Sequence, residues 1–192
     1  MIRTKQFQRL ISMAAVILLF SGCSRPPKPT TQPSRQTAAA AGTQILTGRV
    51  VRVADGDTVT VLDSSNTQYR IRLEGIDAPE SHQAFGTQSK KNLSDMVFGR
   101  DVTVAYQKTD QYGRLVGKIT LDGKDINLAQ VQAGMAWHYK EYQREQAPED
   151  RELYAKAEDE ARSARRGLWL DGDPVEPSAF RKETKRERQD AK

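Results

Sequence analysis

Two short stretches carry the acids that could do chemistry. "ADGDTV" (54–59) sets Asp55 and Asp57 on either side of a glycine, and "EGIDAPES" (74–81) sets Asp77 and Glu80 on either side of Ala78 and Pro79. Two carboxylates with backbone carbonyls make a hard oxygen site of the kind Ca²⁺ takes. The loop is not an EF-hand. Counting from Asp55, the sixth position is Thr60 where glycine is needed, and the twelfth is Asn66 where glutamate is needed. Four acids brought together repel, so a cation must offset that repulsion if they converge. The "DGD" at 171–173 precedes Pro174 and reads as a turn.

The elements that would position these acids are short strands. "ILTGRVVRV" (45–53) is apolar and β-branched, and "DTVTVLD" (57–63) alternates Val59 and Val61 with Thr58 and Thr60. Asp55-Gly56 between them is a two-residue hairpin signal. "TQYRIRLEG" (67–75) alternates Tyr69, Ile71 and Leu73 with Arg70, Arg72 and Glu74, so one face enters a core and the other meets solvent or ligand. Strands at 101–107 and 114–121 follow, with helices over about 87–98 and 126–134. A last helix starts at Pro148, carries acids in its first turn and arginines in its last, and ends before Gly167. Its apolar stripe reads as Leu153, Ala157, Ala161 and Ala164. Five short strands with interposed helices predict an α+β fold: a five-stranded OB-type barrel with about three packed helices. Asp57 starts the second strand and Asp77 ends the third, so neighbouring strands would bring the two carboxylates together.

The stretches "RLEGIDAPE" (72–80) and "TDQYGR" (109–114) follow "DGD" in an order that resembles the staphylococcal-nuclease-like (thermonuclease) family, over about residues 45–180. "NLAQVQAGMAW" (127–137) and "RGLWLDGDPVEP" (166–177) agree with it. The resemblance implies hydrolysis of phosphodiester bonds in DNA and RNA with Ca²⁺, leaving 3′-phosphates, by a monomer with no protein partner. It implies that Asp57, Asp77 and the Ala78 carbonyl hold the metal, with Asp55 beside them. Arg72 and Arg114 would bind phosphate and Glu80 would serve as general base. Tyr112 would lie at the nucleotide site, and Tyr139 and Tyr142 would stack bases. Arginine suits the phosphate role because its planar fork matches two oxygens at once, where lysine is a point charge. Arg70 reads as a solvated strand-face residue. The chain departs from the family's secreted staphylococcal member at two places. Only Ser81 to Ala84 stand where that member has a long lysine-rich loop, and Gln111 replaces a lysine. Both changes imply weaker, less salt-sensitive binding of nucleic acid. Of the two histidines, His82 reads as part of a surface turn and His138 as a helix-end packing residue; Trp169 reads as a core anchor. A catalytically silent OB module and a structural envelope lipoprotein stay open as alternatives.

The ends of the chain read differently from its centre. Residues 1–22 join a basic start (Arg3, Lys5, Arg9) to the apolar run "LISMAAVILLF" and then "SGC", a lipoprotein-type signal ahead of Cys23, the sole cysteine. Residues 23–44 are rich in proline and alanine, hold no acid, and read as a lipidated cysteine with a tether reaching about 65 Å when extended. Residues 181–192, "RKETKRERQDAK", read as a charged tail without an apolar face. The formal charge of +5 divides unevenly: each of these three segments carries +3, and residues 45–180 carry −4. Bulk charge on the folded part therefore does not attract nucleic acid; local arginines or a bound cation must. The expected location is the cell envelope, extracytoplasmic and anchored to a membrane by lipid. Labelled fatty acid should enter the wild-type chain and not Cys23→Ser, which should leave the membrane fraction; label persisting in Cys23→Ser would contradict the anchor.

Overall fold

The structure, a computed structural model, describes residues 42–191. Cys23, the signal segment and nearly all of the tether lie outside the described residues. In chain order the elements are β1 (Gln44–Val53), β2 (Thr58–Leu62), β3 (Gln68–Leu73), β4 (Ile76–Asp77), α1 (Gly86–Val97), β5 (Asp101–Thr109) and β6 (Leu115–Leu121). β7 (Lys124–Asp125), α2 (Ile126–Gln132), β8 (Trp137–His138), α3 (Pro148–Ser163) and α4 (Pro177–Asp190) follow.

β1, β2 and β3 form an antiparallel meander, and β5 and β6 extend the sheet from the other edge of β1. The sheet then closes on itself. β3 pairs in parallel with β6, with Arg72 opposite Val116 and Leu73 opposite Gly117, so five strands form a barrel without a free edge. Val50, Val59, Val61, Ile71, Val104 and Ile119 fill it, each fully buried. The alternation expected of β3 holds, with Ile71 and Leu73 buried and Arg70 and Arg72 on the other face. In β2 the threonines are buried as well, since protein covers both faces of that strand.

The β1–β2 connection differs from the expected two-residue hairpin. It runs over four residues, Ala54–Asp57, closed by Ala54 N donating to Thr58 O (2.8 Å) and Asp57 N donating to Asp55 Oδ1 (3.1 Å). Gly56 is needed for proximity: a Cβ there would sit 1.9 Å from Ser89 Oγ of α1 and 2.7 Å from Ala78 Cβ. The buried Gln130 of α2 donates to Gly56 O (2.7 Å). The acidic loop is thus clamped between two helices and the segment that carries Asp77. Asn127 of α2 secures the other side. Its Oδ1 accepts from Ile119 N (3.1 Å), and its Nδ2 donates to Glu74 O (3.0 Å) and Gly117 O (3.1 Å).

α3 packs with a rotated face. Tyr154, Ala157, Glu158 and Ala161 are buried, whereas Leu153 is 51% exposed and Ala164 is exposed. Polar anchors set this rotation. Tyr154 Oη donates to Asp125 Oδ2 (2.9 Å), and Glu158 accepts from His138 N (3.2 Å) and Lys140 Nζ (2.6 Å). His138 lies in β8 rather than at a helix end; it is buried, with Nε2 2.9 Å from Gln146 Oε1. His82 is exposed. Trp169 belongs to a second small core with Trp137, Ala161 and Leu168. The segment read as a charged tail from residue 181 is a helix here: α4 starts at Pro177 and continues to Asp190.

Candidate active site

The β1–β2 loop, the β3–β4 turn and the β5–β6 turn meet at one mouth of the barrel, and Tyr139, Tyr142 and α4 approach the same mouth. They enclose a cleft of about 860 Å³. Asp55, Asp57, Arg72, Asp77, Ala78 and Glu80 line it, and so do Tyr112, Arg114 and Tyr139. Arg70, expected to be a solvated bystander, is exposed and also lines it.

Arg72 organises the floor. Its Nη1 donates to Leu73 O and Ile76 O, both at 2.7 Å, which fixes the guanidinium against its own turn. Its Nη2 lies 3.0 Å from Asp77 Oδ1 and 3.2 Å from Asp57 Oδ2. One nitrogen therefore faces two carboxylates, both buried. Asp57 is held further by Ala78 N donating to Oδ2 (2.9 Å) and Thr58 Oγ1 donating to Oδ1 (3.0 Å). Ala78 thus contributes its N–H to this arrangement.

Arg114 is set by its own turn. Asp110 Oδ1 accepts from Tyr112 N and Arg114 N, both at 2.9 Å, and Oδ2 accepts from Arg114 Nε (2.7 Å). Burial would raise the Asp110 carboxyl, but these hydrogen bonds outweigh it and hold the group below its ordinary range. Arg114 Nη1 reaches Thr58 Oγ1 at 3.3 Å, so Thr58 links Arg114 to Asp57. The Arg114 guanidinium also lies 5.4 Å from the Tyr112 ring, which is 66% exposed. Tyr139 and Tyr142 stand with ring centroids 4.9 Å apart at 57°. Burial, then the charge of Asp77, pushes the Tyr139 hydroxyl up to about 12, which keeps it neutral.

The acids are not equivalent. Burial and then the neighbouring Asp57 push Asp55 up to about 6. Burial also raises Asp77, against the pull of Arg181 and Arg72. Glu80 is the accessible one, its side chain 39% exposed. Its backbone N–H donates to Gln83 Oε1 (3.1 Å) and its Oε1 accepts from Arg181 Nη1 (2.8 Å). Among the described residues no three His, Cys, Asp or Glu side chains converge as a metal-binding group. A cation here would draw on two carboxylates, with a carbonyl and water completing its shell. The convergence of Asp57 and Asp77 on a single Arg72 nitrogen shows that these two can share one positive charge, and the all-oxygen donor set suits a hard divalent ion.

Three participants were not legible as site residues. Asp110 and Thr58 orient others through hydrogen bonds that no motif spacing announces, although an Asx turn at "DQYGR" was readable in principle. Arg181 lay in the segment read as a tail.

An OB barrel whose mouth pairs buried carboxylates with fixed arginines beside exposed tyrosines defines a class suited to phosphodiesters. Residues 70–171 match the family described as staphylococcal nuclease homologue, and the chain belongs to that family. It is 36% identical over 176 residues to an uncharacterized endonuclease of Haemophilus influenzae, covering 92% of this chain and 85% of that one. It is 44% identical over 135 residues to an uncharacterized endonuclease of Escherichia coli O157:H7, covering 70% and 84%. A micrococcal nuclease of Shigella flexneri is 41% identical over 147 residues, covering 72% and 82%.

Arg72 and Arg181 offset the charge of three of the four acids, Asp57, Asp77 and Glu80. On repulsion alone, Asp57→Asn should melt no lower than wild type without metal. The structure reverses that expectation. Asp57 accepts from Ala78 N and Thr58 Oγ1 and pairs with Arg72, and an asparagine would turn an NH₂ toward one of these groups. In EDTA, Asp57→Asn should be destabilised by about 1–3 kcal/mol, seen as a lower melting temperature. A variant melting at or above wild type would show that repulsion outweighs these bonds.

Proposed function

We propose that this chain is a Ca²⁺-dependent nuclease that hydrolyses phosphodiester bonds in DNA and RNA, leaving 3′-phosphates. The observation that carries the reading is the sharing of one Arg72 nitrogen by Asp57 and Asp77 at the barrel mouth, with Arg114 tied to Asp57 through Thr58. The endonuclease and micrococcal nuclease names of its relatives support it.

Asp57, Asp77 and the Ala78 carbonyl would hold Ca²⁺, which when bound supplies positive charge to the scissile phosphate. The chain's own residues account for the rest. Arg114, preset by Asp110, meets the negative charge that builds on the phosphoryl oxygens as water attacks. Arg72 faces protein oxygens with both terminal nitrogens, so a phosphate approaching it exchanges with the carboxylates it now binds. Glu80, accessible and three residues past Asp77, takes the proton of the attacking water. The P–O5′ bond breaks, leaving phosphate on the 3′ oxygen, and the departing 5′ oxygen takes a proton from solvent. Tyr112 and the Tyr139–Tyr142 pair offer ring faces to the bases on either side, a contact tolerant of sequence and sugar. The protein acts as a monomer. It is held outside the cytoplasm, in the cell envelope, by lipid on Cys23 and a tether that keeps the barrel clear of the membrane.

The competing reading is a silent OB module that binds without cutting. It draws on the occupation of Asp77 and Glu80 by Arg181. A cleavage assay separates the two. The chain from residue 24 onward should degrade supercoiled plasmid and single-stranded RNA with millimolar Ca²⁺ and stop with EDTA. Arg72→Lys and Arg114→Lys should each lower turnover by more than about tenfold, because charge is kept while the planar fork is lost. Arg100→Lys, exposed and outside the cleft, should stay within about twofold, since arginine and lysine are interchangeable where no fork is used. Absence of Ca²⁺-dependent cleavage in wild type would favour the silent module.

A further inference from the structure

α4 touches the barrel in an unusual way. Pro177, its first residue, is its only buried one, and Ser178, Phe180 and Thr184 are half-buried on the same side. Arg181 follows Pro177 by one turn, so it projects from the face that meets the protein. Among the described residues, the side-chain hydrogen bonds from α4 to the barrel are all made by Arg181. Its Nη2 donates to Asp77 Oδ2 (2.9 Å), and its Nη1 donates to Asp77 Oδ1 (3.2 Å) and Glu80 Oε1 (2.8 Å). The guanidinium thus grips both oxygens of Asp77, whose side chain is 3% exposed, and ties them to Glu80. Burial alone would weaken the Arg181 charge, but the bonds to Asp77 and Glu80 more than reverse this and hold the group above its ordinary value.

We propose that Arg181 is a tethered counter-ion that closes the site: docked, α4 occupies the carboxylate oxygens that a divalent cation needs and the carboxylate that would accept water's proton, so metal binding and α4 docking exclude one another. The proposal rests on the reading of Asp57 and Asp77 as a metal site. The two cations compete for the same oxygens of Asp77, and a site open only part of the time binds with an affinity lowered by its open fraction. The coupling is reciprocal, so Ca²⁺ loosens α4 by the factor by which α4 weakens Ca²⁺. α4 can be displaced without unfolding the barrel, because beyond Pro177 it buries no residue fully. The C-terminal segment, which in sequence reads as a charged tail, is in this role a guard on the metal.

The test is Ca²⁺ titration by calorimetry on the chain from residue 24 onward, with hydrogen exchange of residues 180–190 alongside. Arg181→Ala should bind Ca²⁺ about three- to tenfold more tightly than wild type, the size expected for losing a half-exposed ion pair with a buried partner. Arg181→Lys should fall between them, and Arg186→Ala, on the face of α4 opposite Pro177, should match wild type. In wild type, Ca²⁺ should speed exchange in α4. Tighter binding with unchanged exchange would show a simple field effect and overturn the competition. Equal or weaker binding by Arg181→Ala would also overturn it, weaker binding making Arg181 a residue that positions the carboxylates. If wild type and Arg181→Ala both fail to bind Ca²⁺, the metal reading falls and takes this proposal with it.

Discussion

Two buried carboxylates held to one guanidinium nitrogen are the constraint on which the rest of this structure depends. Asp57 and Asp77 come from different turns, and neither tolerates burial as an unpaired charge. Arg72 solves both problems because its own place is fixed twice: by the register of β3 and by the Leu73 and Ile76 carbonyls. The parallel pairing of β3 with β6 that closes the barrel starts at Ile71 and includes Arg72, so closure and site assembly are one event. Removing Arg72 would leave buried carboxylate charge unmet, which costs about 3–5 kcal/mol in comparable cases. The arrangement is strong only while all its members are present.

That constraint also explains how a domain of net charge −4 can manage polyanionic chemistry. At the cleft, positive charge is placed at Arg72 and Arg114 of the domain and at Arg181 just beyond it, each paired with an acid. Each arginine is thereby aimed, and none is free to collapse onto bulk phosphate. The acids serve as orienters until a ligand exchanges with them. Preset geometry of the kind Asp110 gives Arg114 is what stabilises developing charge without reorganisation at the moment of reaction.

Much of this was legible in the sequence, for identifiable reasons. Strand alternation in 67–75 fixed which face of β3 carries Arg72, and the spacing of "RLEGID" set Asp77 one turn beyond it. The barrel followed from five short strands with glycine punctuation. What stayed hidden depends on tertiary contact. The reason for Gly56 is the approach of Ser89 and Ala78, which a local turn rule does not contain. The face of α3 is chosen by Tyr154 and Glu158 through hydrogen bonds, so the expected apolar stripe holds at Ala157 and Ala161 and fails at Leu153 and Ala164. α4 lacked the apolar periodicity that marks a packed helix. Its polar anchor is the single arginine Arg181, and propensity rules treat a lone charge in a charged run as solvated.

The central claim is that Asp57 and Asp77 form a cation site that Arg72 and Arg181 hold in the absence of metal. A crystal of the chain from residue 24 onward, grown without metal and soaked in millimolar Ca²⁺, tests it most directly through the anomalous signal of calcium. The account predicts an anomalous peak shared by the Asp57 and Asp77 carboxylates, with the Arg181 guanidinium withdrawn from Asp77. Carboxylates still bound to both arginines at saturating Ca²⁺, with no peak between them, would contradict it.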